Sequence, residues 1–310
     1  MQSVNFKGFN AGINLPPALK GENLHGLPPY ARTNHYRVSD YPNAPGEWSR
    51  GDDMTATYFV GVTEGSGMWI DLTGNQHLGH HIAVIPSVQG INAITALPVE
   101  SNPVLEQYRH RCPVHDARFS GNRHCLDCGF DWPGQNYLTS ASGKTMWIDG
   151  FRTRGGNGQP TAETRQFIFT SDESRGVAAQ KIGAARSFDV ALHFFRGPQK
   201  PRPAWATRGG HGGGFDSYGS GTLESFGAKG MTRGRSLSAA PEVAAGARIN
   251  QDVGLDPNPV EQYGQLAGVI RIYYVYADVL QEILGTGRAN EGGLSGLKVG
   301  NPTGGMHKTY

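Results

Sequence analysis

Alternating apolar and polar positions run through the middle of the chain and read as strands. Thr55–Val62 is β-branched and aromatic, Glu64-Gly65-Ser66-Gly67 follows as a turn, and Met68–Leu72 forms a second strand, so the pair is expected as a hairpin. His81–Ile85 and Ser87–Ile91 continue the pattern, with Pro86 and Gly90 as the places where it bends or bulges. In Ser187–Phe195, period-2 alternation sets Phe188, Val190, Leu192 and Phe194 on one stripe. Gly268–Tyr276 is apolar or aromatic at nearly every position, which predicts a central strand covered on both faces, and it runs into a short helix, Ala277–Gly285. Two more helices are expected. Asn102 before Pro103 is the favoured order for a helix start and predicts Asn102–Tyr108. Ser171-Asp172-Glu173-Ser174 caps a helix through about Ile182, and Gly183 stops it.

One tetrapeptide recurs: Met146-Trp147-Ile148-Asp149 repeats Met68-Trp69-Ile70-Asp71. As a strand, each copy puts the Trp and the Asp on one face and the Met and the Ile on the other. Four matching residues fit a duplication and an independently reused strand pattern equally well.

The regions outside these strands lack a sustained period. Residues 1–51 read as an extended arm: Pro16, Pro17, Pro28, Pro29, Pro42 and Pro45 interrupt helices and ladders, while Phe6, Phe9, Leu15, Leu24, Tyr30, Tyr36 and Tyr41 give it sticky groups that need a groove, on this chain or a neighbour. Residues 52–204 form the expected β core with an insertion at about 109–137; 205–264 is a Gly-rich loop segment; 265–285 is the last core strand plus its helix; 286–310 is a polar, Gly-containing tail. Within the Gly-rich segment, Arg208–Phe215 resembles an RGG tract in composition only, and Ala239–Ile249 fits a link between strands or one short helix.

Composition sharpens this picture. Glycine takes 45 of 310 positions and proline 19, so long loops are expected. The formal net charge of +2 is too small to demand nucleic acid or an anionic membrane as an obligatory partner. The N-terminus lacks a basic region followed by an apolar run, and no 18-residue apolar stretch occurs, so neither a secretory signal nor a membrane-spanning helix is expected. Synthesis in the cytoplasm fits reduced cysteines.

All three cysteines lie in Arg111–Tyr137. Cys112-Pro113-Val114-His115 and Cys125-Leu126-Asp127-Cys128 each bring two soft donors into one tight turn, and nine residues separate the turns so that they can face each other. Three thiolates and an imidazole make a donor set that suits Zn²⁺, and four protein ligands close the coordination sphere as a structural site requires. Gly129 follows the second turn, where positive φ lets backbone N–H groups aim at sulfur. This pair of turns resembles the knuckles of a zinc ribbon, over about 25 residues and no further. Two neighbours, His110 and His124, compete with His115 for the fourth position. Asp116 and Asp127 read as turn residues, so the ion is expected to staple a segment too short to bury its own core.

Other candidates are weaker. His77-Leu78-Gly79-His80-His81 offers three imidazoles but no carboxylate at a ligand spacing, and reads as a loop. No Gly-X-Ser-X-Gly, His-Glu-X-X-His or phosphate-loop pattern occurs, so no catalytic residues are assigned. The expectation is a mainly β (α+β) protein: a sandwich or packed sheets with an inserted zinc ribbon, few short helices and extended terminal arms. Its expected role is as structural subunit of a homopolymer, such as a tube, filament or shell, partnered by copies of itself. The alternative is a zinc-ribbon binding module for nucleic acid or protein, in which Arg109, Arg111, Arg118 and Arg123 contact phosphates.

Overall fold

The computed structural model describes residues 3–154, 162–183, 187–201 and 240–285. The first strands in chain order are β1 (Val4–Phe6), β2 (Phe9–Asn14), β3 (Tyr36–Arg37), β4 (Thr55–Val62) and β5 (Gly67–Asp71). β6 (His80–Val88), β7 (Ile91–Asn92), β8 (His124–Cys125), β9 (Phe130–Asp131), β10 (Leu138–Thr139) and β11 (Trp147–Ile148) follow. β12 (Gly150–Arg154), β13 (Ala162–Thr170), β14 (Asp189–Gln199), β15 (Glu242–Ile249) and β16 (Leu266–Tyr276) complete the strands, with helices α1 (Val177–Ile182) and α2 (Ala277–Ile283). The mainly β expectation holds.

Among the described residues, two seven-stranded sheets face each other. One runs β1-β2-β5-β13-β12, with β11 on β5 and β15 on β13; the other runs β10-β6-β14-β16-β4-β3, with β7 on β6. Period-2 alternation decides what lies between them. Phe9, Ala11 and Ile13 of β2 and Met68 and Ile70 of β5 meet Val60, Val84, Leu192, Phe194, Ile270 and Ile272 of the opposite sheet in one buried cluster. Aromatic rings bridge the gap: Phe9 stacks on Phe194 at 4.6 Å, and Phe169 meets Tyr274 edge-on at 4.9 Å. The stripe expected along β14 is therefore the core face of the sandwich.

The expected two-sided burial of β16 also holds. Its even positions enter the sandwich core, whereas Tyr273 and Val275 pack with Phe59, Val38, Val279 and Ile283 on the outer side. Trp48 lies flat on Tyr273 at 4.6 Å there, so the 36–50 segment and α2 cover this face together. A third cluster, Ala83, Ile85, Tyr137, Phe195 and Tyr263, covers the outer side of β6 and β14.

Several expectations change. Residues 3–51 are not a free arm but pack on this chain's own sheets. β1 and β2 form a hairpin across Lys7-Gly8, both with positive φ (51° and 87°), the geometry that two-residue turns favour. β2 then pairs with β5, and Phe9, Ala11 and Ile13 are fully buried. The later part of the segment lies on this chain's own sheets: Asn14 bridges to Arg32, and β3 pairs with β4. The expected hairpin of β4 with β5 does not form either. β4 runs parallel to β16, and β5 lies in the opposite sheet, so the turn between them carries the chain across the sandwich.

No helix forms at Asn102–Tyr108. The Asn136 side chain accepts from the Glu106 N–H and donates to the Val104 carbonyl, and Gln107 bridges to Gln135; these tertiary bonds hold the segment extended against its local start signal. Ala239–Ile249 resolves as a strand from Glu242 onward: Val243, Ala244, Ala247 and Ile249 are buried, and pairing with β13 overrides the helix preference of its alanines. The Gly-rich segment is thus not one loop, and its 205–239 part, including Arg208–Phe215, lies outside the described residues, as does the 286–310 tail. The two Met-Trp-Ile-Asp copies pair with each other antiparallel, Trp147 opposite Asp71 and Ile148 opposite Ile70. Among the described residues, no helix is long and apolar enough to cross a membrane.

Candidate metal centre

The inserted segment leaves the sandwich on a two-stranded stalk. Tyr108 N–H donates to the Gly134 carbonyl, and Asn136 N–H to that of Glu106. The Gln107 side chain donates to Tyr137 Oη and to the Asn258 carbonyl, each at 2.8 Å, which fixes the stalk to the body. Beyond it, Tyr108, Cys112, Cys125, Phe130 and Trp132 form a separate small core, far too little apolar volume to hold a module by itself. The sulfurs are part of that core.

Both knuckles form. Cys112 N–H donates to the Ala117 carbonyl, Asp116 N–H to that of Cys112, and Gly129 N–H to that of Cys125. Gly129 adopts φ +59°, as its position requires, and Asp116 turns with φ +50°. His124–Cys125 pairs with Phe130–Asp131 as a short hairpin that carries the second knuckle.

These turns converge four donor atoms. Cys112 Sγ lies 3.6 Å from His115 Nδ1 and 4.0 Å from Cys128 Sγ, and Cys125 Sγ lies 3.8 Å from the same nitrogen. All four atoms fall within 4.8 Å of one another. A tetrahedral ion with ordinary zinc bond lengths asks for donor separations of about 3.5 to 3.8 Å, so the donor set fits such an ion. The imidazole presented is that of His115, which is exposed, while Cys112 and Cys125 are buried. His124 is turned away: its Nδ1 lies 2.7 Å from Asp131 Oδ1. His110 is not among the clustered donors.

The two buried sulfurs differ in their surroundings. Burial pushes the Cys125 thiol up, but the backbone N–H groups of Cys128 and Asp127 and the neighbouring sulfurs outweigh it and bring the group to about 7. Cys112 is pushed up by burial, against N–H groups of Val114 and His115 that aim at its sulfur.

The remaining candidates separate. His80 and His81 open β6 instead of lying in a loop, and each keeps one buried ring nitrogen without a hydrogen-bond partner. His77 ends a short 3₁₀ turn, and among the described residues the cysteine–histidine group is the one cluster of metal donors. Three of the four arginines are engaged locally: Arg109 with Gln107 Oε1, Arg111 with both Asp116 oxygens it reaches at 2.8 Å, and Arg123 with the Trp132 carbonyl.

The sequence reading missed the supporting residues. Tyr108, Phe130 and Trp132 flank the ligands closely enough to have been read as their packing, but Arg152 had no local signal. Its guanidinium donates to the Asp131 carbonyl at 3.2 and 3.0 Å and lies 6.0 Å over the Phe130 ring, clamping the knuckle hairpin to β12. Asp149 is also missed as an oddity. It is fully buried with neither carboxylate oxygen hydrogen-bonded, and burial raises it to about 7.

Set against family models, curated proteins and solved structures, the chain finds no match.

Proposed function

We propose that this chain is a structural β-sandwich subunit that assembles with copies of itself, and that Zn²⁺ bound by Cys112, His115, Cys125 and Cys128 staples its knuckle module. The observation that carries the metal half is the convergence of four protein donors at spacings suited to a tetrahedral ion. Four such ligands leave no open coordination position for substrate, which favours a structural ion over a catalytic one. Because residues 3–51 largely cover this chain's own sheets, the assembly half rests on apolar surface instead of an exchanged N-terminal arm. Val114 and Leu126 sit at the tips of the two knuckles and are 54% and 74% exposed, although the module is short of apolar groups for its own core.

Two measurements test the halves separately. Metal analysis of protein purified without chelator should give about one zinc per chain, and a value near zero sinks the staple. Size-exclusion with light scattering, followed by negative-stain imaging, should show large species that Leu126→Asp reduces to small ones. Protein that is monomeric at high concentration shifts the choice to the second reading, a zinc-ribbon module whose exposed knuckle tips bind another protein. A nucleic-acid version of that reading relies chiefly on Arg118, whose neighbours Arg109, Arg111 and Arg123 have the local partners given above; a salt-dependent mobility shift tests it.

A further inference from the structure

The three sulfurs are not equivalent. Cys112 and Cys125 are 1% and 0% exposed, whereas Cys128 is half-buried and is the most exposed of the three cysteines. Cys125 shares a turn with Cys128, whose backbone N–H and that of Asp127 aim at the Cys125 sulfur. Cys112 comes from the other knuckle, and its sulfur stands 4.0 Å from that of Cys128. A bond between these two would tie the first knuckle to the second, which is the cross-link the ion supplies.

We propose that Cys128 is an oxidation site for hydroperoxides and that Cys112 resolves it, giving a disulfide that expels the metal and replaces it as the staple between the knuckles. The chemistry balances with hydrogen peroxide as oxidant. The Cys128 thiolate attacks one peroxide oxygen, the S–O bond forms as the O–O bond breaks, and hydroxide leaves and is protonated to water. The Cys112 thiolate then attacks the sulfenic sulfur, the S–S bond forms, the S–O bond breaks, and a second hydroxide leaves as water. Two thiolates are oxidised by two electrons in all, and one peroxide is reduced. Only Cys125 and His115 then remain as donors, on opposite knuckles, and two ligands do not hold Zn²⁺ in a structural site.

Expulsion of zinc rests on the metal reading above, while the choice of disulfide partners rests on the exposure of Cys128 and its 4.0 Å separation from the Cys112 sulfur across the knuckles. The full chain is therefore treated with one equivalent of hydrogen peroxide both as purified and after chelation, with released zinc read by a chromogenic chelator and cysteine pairs read by peptide mass spectrometry. The expected result is a Cys112–Cys128 disulfide in both samples, Cys125 recovered as an alkylated thiol, release of about one zinc per chain from the loaded sample, and reversal by dithiothreitol with added Zn²⁺. Hydrogen exchange of the 109–132 backbone should change little on oxidation, because one staple replaces the other. Zinc-loaded protein that keeps its ion after peroxide, a Cys125–Cys128 pair, or sulfinic acid at Cys128 without a disulfide overturns the proposal. Protein that never held zinc but gives the Cys112–Cys128 pair overturns the metal reading and leaves the resolving pair standing.

Discussion

Asp149→Asn is expected to change the pH dependence of stability more than stability itself. Asp149 lies between β11 and β12, fully buried, with its N–H donating to Gln251 Oε1 and its carbonyl accepting from Phe167, while both carboxylate oxygens are unpartnered. Burial is the dominant influence, opposed only by its own backbone N–H, and it raises the group from 3.8 to about 7. A raised carboxylate destabilises where the unfolded chain ionises and the folded chain does not. Stability should therefore fall as pH rises from about 4 to about 7, by about 1.4 kcal/mol per unit, to a total of about 4 kcal/mol, and level off above that. Asparagine has the same shape and no charge to lose, so its variant lacks this slope. Its amide leaves its own unpartnered groups, at a cost of about 1 to 3 kcal/mol that does not depend on pH. The informative quantity is thus the difference between the two proteins as a function of pH, in which titrations common to both, metal loss included, cancel. Urea unfolding followed by tryptophan fluorescence from pH 4 to 8 measures it. The difference should move by about 2 to 4 kcal/mol in favour of the asparagine variant across that range. Parallel stability curves would mean that Asp149 finds a partner or a water and ionises normally.

The other predictions concern metal, core and a buried imidazole. Cys125→Ser or Cys128→Ser should abolish zinc binding and raise hydrogen exchange in 109–132 while the amides around Ile270 stay protected; exchange rising throughout would make the module part of the main core. Phe9→Ala should cost about 3 to 5 kcal/mol, because its ring is fully buried and stacked on Phe194; an unchanged urea midpoint would return this segment to the status of an extended arm. His193 is buried against the Ile85 carbonyl, and burial lowers it from 6.5 to about 4. The unfolded chain takes up that proton first, so the stability that neutral His193 permits is full above about 6.5 and lost as pH falls toward 4, by about 3 kcal/mol. His193→Gln should flatten that acid limb, and a limb of unchanged steepness would assign it to other groups.

Features that depend on short range were legible in the chain before any fold was known. Soft donors with two residues between them make knuckles whatever surrounds them, so Cys112, Cys125 and Cys128 could be read directly, with His115 as the foremost of three histidines for the fourth place, as could the β14 stripe and the doubly covered β16. The spacing favoured His115, but His110 and His124 stayed in competition until the structure paired His124 with Asp131 and left His110 outside the cluster. Strand partners also escaped. β4 and β5 are separated by a turn that would serve a hairpin, and they part because β16 offers β4 a longer apolar neighbour while β2 and β13 complete β5. Lys7-Gly8 and the Phe9, Ala11, Ile13 alternation were present to be read, but a six-residue strand rich in Asn and Gly acquires its stability only when two sheets close over it. Local chemistry is written in neighbouring residues; burial is decided by segments far apart in the chain, and only the assembled sandwich brings those together.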